Sequence, residues 1–232
     1  MGLIFLYMNE KFSKKTIMHF KEILDYTKKD KEIWFTGDLH IGHTGIIKHS
    51  RSEFNNTKEM NKTLIDSLSI IKSNDFLFDL GDMFWKSSDI MINSVLDKIN
   101  TTNIWKILGN HDKEAIYNIS YIKNRFIGIS ETLDLTIKYD KNRTIGLVLC
   151  HYPLVSWSGK SRGVLMIHGH CHGNLDNYNK ISSDLRVDIG WDSILGNKNI
   201  VPLSKIIEYF DTKTNGEKYS VWVKKNHKKG TL

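Results

Sequence analysis

The chain has 232 residues, of which 40% are hydrophobic and 11% aromatic; this composition is typical of a compact domain and excludes a largely disordered chain. The formal net charge of +7 favours polyanionic partners such as nucleic acid or phosphorylated ligands, although a solvated, lysine-rich surface would give the same charge. The opening MGLIFLYM is apolar but too short to span a membrane, and it lacks signal-peptide features, so we expect a cytoplasmic protein without membrane partners. The two cysteines, Cys150 and Cys171, provide no disulfide framework.

The segment before Glu32 differs from the rest of the chain. Its apolar residues at helical spacing are Ile17, Phe20, Ile23 and Leu24. This spacing predicts that residues 1–31 form an N-terminal extension with one amphipathic helix. We expect residues 32–232 to form a single domain, because no repeat, low-complexity block or linker divides them.

Five short apolar runs each end in residues that can bind a metal. They are EIWFTGDLH (32–40), DFLFDLGDM (75–83), NIWKILGNHD (103–112), TIGLVLCHYP (144–153) and GVLMIHGHCHG (163–173). Their β-branched and aromatic content, closed by Gly or Pro, predicts buried strands. Helical patterns over 58–72 and 88–99, the second with Ser88 as N-cap, separate the first three runs and predict parallel strands with crossover helices. Residues 186–193 and 218–224 predict further strands.

The predicted topology gathers the ends of these runs at one place. In open α/β sheets, ligands bind outside the carboxyl ends of the strands, and all five runs deliver Asp, Asn or His there. Seven of the ten histidines lie in these terminal segments or, for His43, three residues beyond one, a clustering that scattered core or surface histidines would not give. The candidate metal ligands are Asp38, His40, Asp82, Asn110, His151, His170 and His172.

This mixed set of oxygen and nitrogen donors suits Mn, Fe or Zn better than Ca or an iron–sulfur cluster. Seven donors exceed what one tetrahedral ion requires, whereas two ions that share a bridging carboxylate use all of them. Two-metal centres of this kind recur in phosphate ester hydrolysis. A single-zinc hydrolase of the β-lactamase type does not fit, because its His-x-His-x-Asp-His block is missing.

Five ordered blocks resemble those of the calcineurin-like metallophosphoesterases, which read Asp-x-His, Gly-Asp, Gly-Asn-His-Asp/Glu, a separate His, and Gly-His-x-His. Here they are Asp38-Leu39-His40, Gly81-Asp82, Gly109-Asn110-His111-Asp112, His151 and Gly169-His170-Cys171-His172. The resemblance spans about residues 32–192, and the stretch 38–54 is similar to small bacterial and phage-type members. It implies an α/β fold, a four-layer αββα sandwich with two mixed β-sheets and the metal site at the carboxyl ends of the strands.

The resemblance also implies a role for each block. One metal ion would be held by Asp38, His40, Asp82 and His172, and a second by Asp82, Asn110, His151 and His170, so that Asp82 bridges the two. The two divalent ions, expected to be Mn with Fe, Ni or Zn as alternatives, would lower the pKa of a shared water, and the bridging hydroxide would attack phosphorus. His111 corresponds to the family's catalytic histidine, and Asp112 would either orient it or cap a helix.

Two residues of the histidine-rich block have no role in the motif. We interpret His168 as a packed or supporting histidine rather than a third ligand, because the family's block begins at Gly169. We interpret Cys171 as a small buried side chain rather than a thiolate ligand.

Side chains outside the blocks could bind the substrate. The candidate phosphate-binding residues are His43, Arg51, Lys160 and Arg162, each of which could equally be a solvated loop cation. Three aromatic residues that flank the blocks could stack on a base or simply line the cleft, namely Trp85, Tyr152 and Trp157.

The sequence differs from the motifs of the protein serine/threonine phosphatases of this superfamily, and this difference limits the expected class of substrate. Those enzymes carry Gly-Asp-x-x-Asp-Arg-Gly, whereas Asp82 is followed here by Met-Phe-Trp-Lys-Ser, which lacks the arginine that grips a phosphomonoester. We therefore expect a phosphodiesterase that acts on a nucleotide or nucleic-acid substrate. A phosphomonoesterase for a small phosphorylated metabolite is the alternative. A non-catalytic scaffold of the same fold is a further alternative, although scaffolds usually lose ligands and this chain keeps all seven.

Overall fold

The computed structural model describes residues 19–28, 30–141 and 143–213. The strands are β1 His19–Asp25, β2 Ile33–Thr36, β3 Phe76–Asp79, β4 Ile104–Ile107, β5 Gly128–Ser130, β6 Thr132–Asp140, β7 Arg143–Cys150, β8 Leu165–His168, β9 Arg186–Asp188 and β10 Val201–Pro202. The helices are α1 Thr57–Ser67, α2 Asp89–Leu96, α3 Glu114–Tyr117, α4 Ser120–Lys123, α5 Asp176–Ile181 and α6 Leu203–Lys213. Each of these helices is too short or too polar to cross a lipid bilayer.

The strands form two mixed sheets of five strands each. One sheet has the order β10-β2-β3-β4-β5, and the other has the order β1-β6-β7-β8-β9. In the first sheet β2, β3, β4 and β5 are parallel, and in the second β7, β8 and β9 are parallel. The parallel strands end on the same side of their sheet, which places their carboxyl-terminal loops next to one another.

A large apolar core lies between the two sheets. Phe35 of β2 stacks on Phe78 of β3 with ring centroids 5.4 Å apart, and alternate residues of the facing strands, such as Leu147 and Ile167, pack in the same cluster. Successive side chains of a strand point to opposite faces, so the neighbouring residues of β7 and β8 point outward.

Layers on the outer faces of the two sheets complete a four-layer αββα sandwich. Helices α1 and α2 cover the outer face of the first sheet, where Leu64 and Ile92 pack with Leu77 and Ile104 of the strands. On the outer face of the second sheet, a thinner layer consists of α5 and the loop that carries Trp157. The predicted fold class is therefore confirmed.

Most of the strands and helices that carry the motifs are where the sequence predicts them. The five apolar runs contain β2, β3, β4, β7 and β8, and 186–193 contains β9. The predicted helices correspond to α1, which continues as a 3₁₀ turn over Leu68–Ile70, and to α2. Ser88 caps α2, because its side chain accepts a hydrogen bond from the backbone N–H of Met91. The predicted strand at 218–224 lies outside the described residues.

The helix predicted for the N-terminal extension is wrong over His19–Asp25, and residues 1–18 lie outside the described residues. Positions 19–25 form β1, which pairs in parallel with β6 along its whole length, from His19 opposite Thr132 to Asp25 opposite Lys138. The apolar spacing of Phe20, Ile23 and Leu24 fits a helix, but backbone pairing with the open edge of β6 decides the local structure. Tertiary context commonly overrides such a short pattern.

Candidate metal centre

The predicted metal ligands follow five strand ends, three in one sheet and two in the other. Asp38 and His40 follow β2, Asp82 follows β3, Asn110 follows β4, His151 follows β7, and His170 and His172 follow β8. The strands β2, β3 and β4 are neighbours, as are β7 and β8. This adjacency brings all seven side chains to one edge of the sandwich.

The backbone at this edge is unusual. Five of the predicted ligands have a left-handed backbone, with φ of 53° at Asp38, 51° at His40, 55° at Asp82, 68° at His170 and 48° at His172. They are five of the eight non-glycine residues with positive φ in the part of the chain that the structure describes. Asp and His tolerate this conformation better than most residues, and strained backbone of this kind concentrates at functional sites.

One group of donors consists of Asp38, His40 and His172, with Asp82 beside it. The Nε2 atoms of His40 and His172 are 3.2 Å apart, and each lies 3.9–4.0 Å from Oδ1 of Asp38. His40 Nε2 is also 4.0 Å from Oδ2 of Asp82. Nitrogen and carboxylate donors at this spacing surround a point that a cation about 2.0–2.2 Å from each would occupy.

The carboxylate of Asp38 provides a test of whether a cation fits here. The side chain is fully buried; Oδ2 accepts a hydrogen bond of 2.8 Å from the backbone N–H of His170, but Oδ1 has no partner among the described residues. Burial raises the pKa of Asp38 to about 7, although the neighbouring His172 and His151 lower it. An orphaned carboxylate oxygen that faces two imidazoles fits a divalent ion, which would supply the missing charge.

The second group consists of Asp82, Asn110, His151 and His170. His151 Nε2 lies 3.4 Å from Oδ2 of Asp82 and 3.0 Å from Oδ1 of Asn110, and His170 Nδ1 lies 2.9 Å from the same Asn110 oxygen. His151 Nδ1 lies 2.8 Å from the carbonyl oxygen of Leu80. That bond selects the tautomer that leaves Nε2 free to bind a metal.

Asp82 lies between the two groups. Its Oδ2 is within 4.0 Å of both His40 and His151, one from each group. Burial would raise the pKa of Asp82, but the adjacent His151 imidazole and the hydrogen bond from the backbone N–H of His111 outweigh burial and lower it to about 2. The carboxylate is therefore ionised at neutral pH and carries the charge that a bridge between two cations requires.

His111 lies at the exposed rim of the site. Its backbone N–H donates a 2.8 Å hydrogen bond to Oδ1 of Asp82, and its side chain is 38% exposed, with Nε2 4.0 Å from Oδ2 of Asp82. The ring packs against Trp85 with centroids 4.3 Å apart, and Trp85 stacks face to face on His43 at 3.7 Å. His43, a candidate phosphate-binding residue, therefore lies at the same rim, with its ring 5.6 Å from that of His40.

Asp112 does not orient the His111 ring as one interpretation of the sequence expected. Oδ2 accepts the backbone N–H groups of Asp82 (2.9 Å) and Gly109 (2.8 Å), and Oδ1 accepts the hydroxyl of Tyr117 at 2.8 Å. Lys106 Nζ lies 2.8 Å from the same Oδ2. Oδ2 thus faces the backbone of the turns after β3 and β4, and through it Asp112 supports Asp82 from below.

Arg51 is also placed differently from expectation. Its side chain is fully buried and donates hydrogen bonds to the carbonyl oxygens of Asp38 and Leu39 and to the carboxylate of Asp192. The rigid fork of a guanidinium matches such a set of carbonyl and carboxylate acceptors. Arg51 therefore lies behind the site and presents no surface to a substrate.

The loop after β7 carries one paired cation, Lys160, and one exposed cation, Arg162. Lys160 Nζ lies 2.7 Å from Asp184 and 4.7 Å from the centre of the Trp157 ring, while Arg162 is exposed at the end of a 3₁₀ turn. Trp157 is buried and donates to the carbonyl of Val164, so it closes the loop rather than forming a stacking surface. The described contacts join neither cation to a predicted metal ligand.

Tyr152 is the exposed aromatic residue at the other rim. It is 43% exposed and meets the ring of His170 edge-on, with centroids 4.7 Å apart. Its ring therefore borders the second group of donors, where it is open to solvent.

His168 and Cys171 form a cluster with Asp188 whose polar atoms are largely satisfied. His168 Nδ1 lies 2.8 Å from the Gly169 carbonyl and Nε2 lies 3.2 Å from the Asn179 amide. Asp188 accepts the backbone N–H groups of Gly190 and Gly173. Burial raises the pKa of the Cys171 thiol to about 11. Protein groups thus engage both ring nitrogens of His168, which disfavours this imidazole as a metal ligand.

The sequence did not assign a role to Asp192, although it singled out the stretch RVDIGWDS. Oδ2 of Asp192 lies 2.7 Å from Nδ1 of His172. Burial would raise the pKa of Asp192, but hydrogen bonds from His172 and Arg51 hold it well below its usual range. Asp192 is far from both partners in sequence, so local patterns could not predict this contact. The one available indication was a carboxylate at the end of a predicted strand.

An α/β sandwich with a cluster of carboxylate, amide and imidazole donors at its strand ends defines a metal-dependent hydrolase scaffold. Residues 31–224 match the model of the calcineurin-like phosphoesterase family, and the chain belongs to that family. The family implies divalent metal ions and a phosphoester substrate. Among the described residues, three groups have the spacing of metal ligands: Asp38/His40/His172, Asp38/Asp82/His151 and the His168/Cys171/Asp188 cluster.

The chain is also similar to individual proteins. An uncharacterized protein of Methanocaldococcus jannaschii is 31% identical over 153 residues, which cover 64% of this chain and 74% of the relative. The Gene 66 protein of Mycobacterium phage L5 is 24% identical over 161 residues, 60% of this chain and 76% of the relative, which agrees with the expected likeness to phage-type members. A crystal structure of a protein of unknown function from Aquifex aeolicus has the same fold, with a TM-score of 0.53, 21% identity and coverage of 77% of this chain and 99% of that one.

Proposed function

We propose that this protein is a two-metal phosphodiesterase that acts on a nucleotide or nucleic-acid substrate. Asp38, His40, Asp82 and His172 hold one ion, and Asp82, Asn110, His151 and His170 hold the other. The observation that carries this proposal is the central position of Asp82, whose Oδ2 is within 4.0 Å of His40 and 3.4 Å of His151. Bound divalent ions supply Lewis-acid activation of water and neutralise charge on the phosphate.

The protein's own groups have separate tasks in this proposal. Asp38 and Asp82 provide the negative charge that keeps both ions in place. His111, exposed at the rim and fixed through its backbone to Asp82, stabilises the charge on the phosphoryl oxygen and protonates the leaving oxygen. The stack of Trp85 on His43 forms a wall beside His111 that limits the orientation of the substrate.

The charge distribution supports a diester rather than a monoester. A dedicated cationic side chain would favour the dianion of a monoester, but Arg51 is buried behind the site and Lys160 pairs with Asp184. A shallow crevice beside His111 is instead lined by Lys86 and Lys113. Lysines next to the reaction centre suit the neighbouring phosphates of a nucleic-acid strand. Manganese as the metal and the cytoplasm as the location remain part of this proposal.

The test compares hydrolysis of bis-p-nitrophenyl phosphate and p-nitrophenyl phosphate by metal-free protein resupplied with Mn, Ni, Zn or Mg. We expect diester turnover to return with Mn and to vanish in Asp82→Asn. Asp97→Asn is the matched control, because Asp97 is 54% exposed and its described ion pair is with Arg125, which is not among the predicted site residues. Undiminished turnover by Asp82→Asn would overturn the two-metal proposal. Preference for the monoester would overturn only the substrate class.

A further inference from the structure

A buried chain of hydrogen bonds links the turn after β2 to the last block of predicted ligands. The guanidinium of Arg51 donates to the carbonyl of Leu39 at 2.6 Å and to the carbonyl of Asp38. Its Nε and Nη2 also donate to the carboxylate of Asp192, at 3.1 and 2.9 Å for the closest contacts. Asp192 Oδ2 in turn accepts from Nδ1 of His172 at 2.7 Å. Two segments far apart in sequence are thereby joined through one cation and one carboxylate.

We propose that Arg51 and Asp192 are positioning residues that assemble one half of the metal centre, the half formed by Asp38, His40 and His172. This inference rests on the proposed function, since it assumes that these three side chains bind a metal. Donation of the Nδ1 proton of His172 to Asp192 fixes one tautomer and leaves the Nε2 lone pair directed at His40 and Asp38.

The backbone of the β2 turn explains why a buried arginine is needed there. Asp38 and His40 have left-handed backbone, with φ of 53° and 51°, a conformation that is strained for residues with a Cβ. Arg51 stabilises this turn, because its hydrogen bonds hold the carbonyls of Asp38 and Leu39 in place. A lysine cannot reproduce this arrangement, since it lacks the planar fork that reaches two carbonyls and a carboxylate together.

Three of the four ligands of the other half have a different support, while the fourth, His170, donates its backbone N–H to Asp38. His151 is oriented by the carbonyl of Leu80, and the turns that carry Asp82 and Asn110 are held by Asp112. Loss of the Arg51–Asp192 pair should therefore lower the affinity for one metal ion and leave the affinity for the other unchanged. A role in general stability would not produce this asymmetry.

The variants are Asp192→Asn and Arg51→Lys in the full chain. The Asp192→Asn substitution would place an amide N–H₂ against either the Arg51 guanidinium or the His172 Nδ1–H, so one donor loses its acceptor. The matched control is Lys198→Met: Lys198 Nζ contacts the same Asp192 carboxylate at 3.2 Å but is 45% exposed and also pairs with Glu53. Lys198→Met should retain both ions.

Binding of Mn²⁺ to metal-free protein is measured by calorimetry and by electron paramagnetic resonance, and the His172 tautomer by long-range ¹H–¹⁵N NMR. We expect wild type to bind two ions, and both variants to bind one of them about 10–100-fold more weakly. We also expect the Nδ1–H tautomer of His172 to be the single form in the metal-free wild type and to mix with the Nε2–H form in Asp192→Asn.

If Asp192→Asn still bound two ions tightly and kept His172 in a single tautomer, the inference would be overturned while the proposed function stayed intact. Equal weakening of both ions, or failure of both variants to fold, would also overturn it by showing a structural role. If wild type itself bound no metal, the proposed function would fail first.

Discussion

The ammonium group of Lys106 lies 2.8 Å from Oδ2 of Asp112, and neither side chain reaches solvent. The same ammonium lies 2.6 Å from Asp79. Burial would lower the pKa of Lys106, but the two carboxylates outweigh burial and hold it well above its usual value. One buried cation therefore holds together the ends of β3 and β4, directly beneath the turns that present Asp82 and Asn110.

Replacement of Lys106 by Met should strongly destabilise the protein. Two buried carboxylates would then face each other without a counter-charge, and removal of one partner from a buried ion pair costs about 3–5 kcal/mol. Urea unfolding of the metal-free protein measures this change. Lys62→Met is the control, because Lys62 and Asp66 are exposed by 77% and 59% and such pairs contribute little. A similar small effect of both substitutions would contradict the assigned role of Lys106.

Gly109→Ala should abolish tight binding of both metal ions, because Asp82 is a ligand in both proposed sets. A Cβ at Gly109 would overlap the carboxylate of Asp82 and approach its backbone N to 2.8 Å, so Asp82 would have to move. Gly37→Ala should be tolerated, since the nearest atom to its Cβ is 3.5 Å away. Calorimetry with Mn²⁺ compares the two variants. Normal binding by Gly109→Ala would show that Asp82 is not held in place by this turn.

Asp38→Asn should have opposite effects on the metal-free and metal-loaded protein. The Oδ1 atom of Asp38 is buried and has no hydrogen-bond partner within the described part of the chain, so a neutral amide in its place removes a desolvation cost in the absence of metal. The thermal midpoint of the metal-free protein should rise, whereas the increase in the midpoint on addition of Mn²⁺ should shrink. Differential scanning calorimetry with and without a chelator tests both parts. A lower midpoint without metal would mean that the carboxylate has a partner there.

Lys86→Ala combined with Lys113→Ala should weaken the hydrolysis of polynucleotides more than that of small diesters. Both lysines line the crevice beside His111, where they would contact phosphates next to the one that is cleaved. We expect a higher KM for a polynucleotide, a smaller dependence of binding on salt concentration, and unchanged turnover of bis-p-nitrophenyl phosphate. An equal loss on both substrates would place the lysines in catalysis instead.

The sequence predicted the strand ends and the set of side chains they deliver, because a short apolar run followed by Gly-Asp or Gly-Asn-His is a local signal. It could not separate a buried cation from a solvated one. Arg51 and Lys160 both appear as basic residues in polar loops, but Arg51 finds three acceptors in distant segments while Lys160 pairs with Asp184 nearby in space.

The role of Asp112 and the strand conformation of β1 also depend on partners that are distant in sequence, so local patterns could not predict them. Asp112 is adjacent to His111, which favoured a contact between them, yet its carboxylate faces the backbone of Gly109 and Asp82. The segment of β1 has an apolar spacing that fits a helix, and only the presence of an open edge on β6 makes it a strand. Long-range partners of this kind leave no trace in local spacing.

The left-handed backbone at Asp38, His40, Asp82, His170 and His172 limits which donors this edge can use. Asp, Asn and His are the side chains that combine metal-binding atoms with tolerance of that conformation. Glutamate and cysteine are among the residues for which positive φ is uncommon. Conversion of the centre to a thiolate-rich site would therefore cost backbone strain energy, which would offset any gain in metal affinity. The turn geometry thus limits which residue types can serve as ligands in the site. A redesign for another metal would have to change the loop backbone before it changed the ligands.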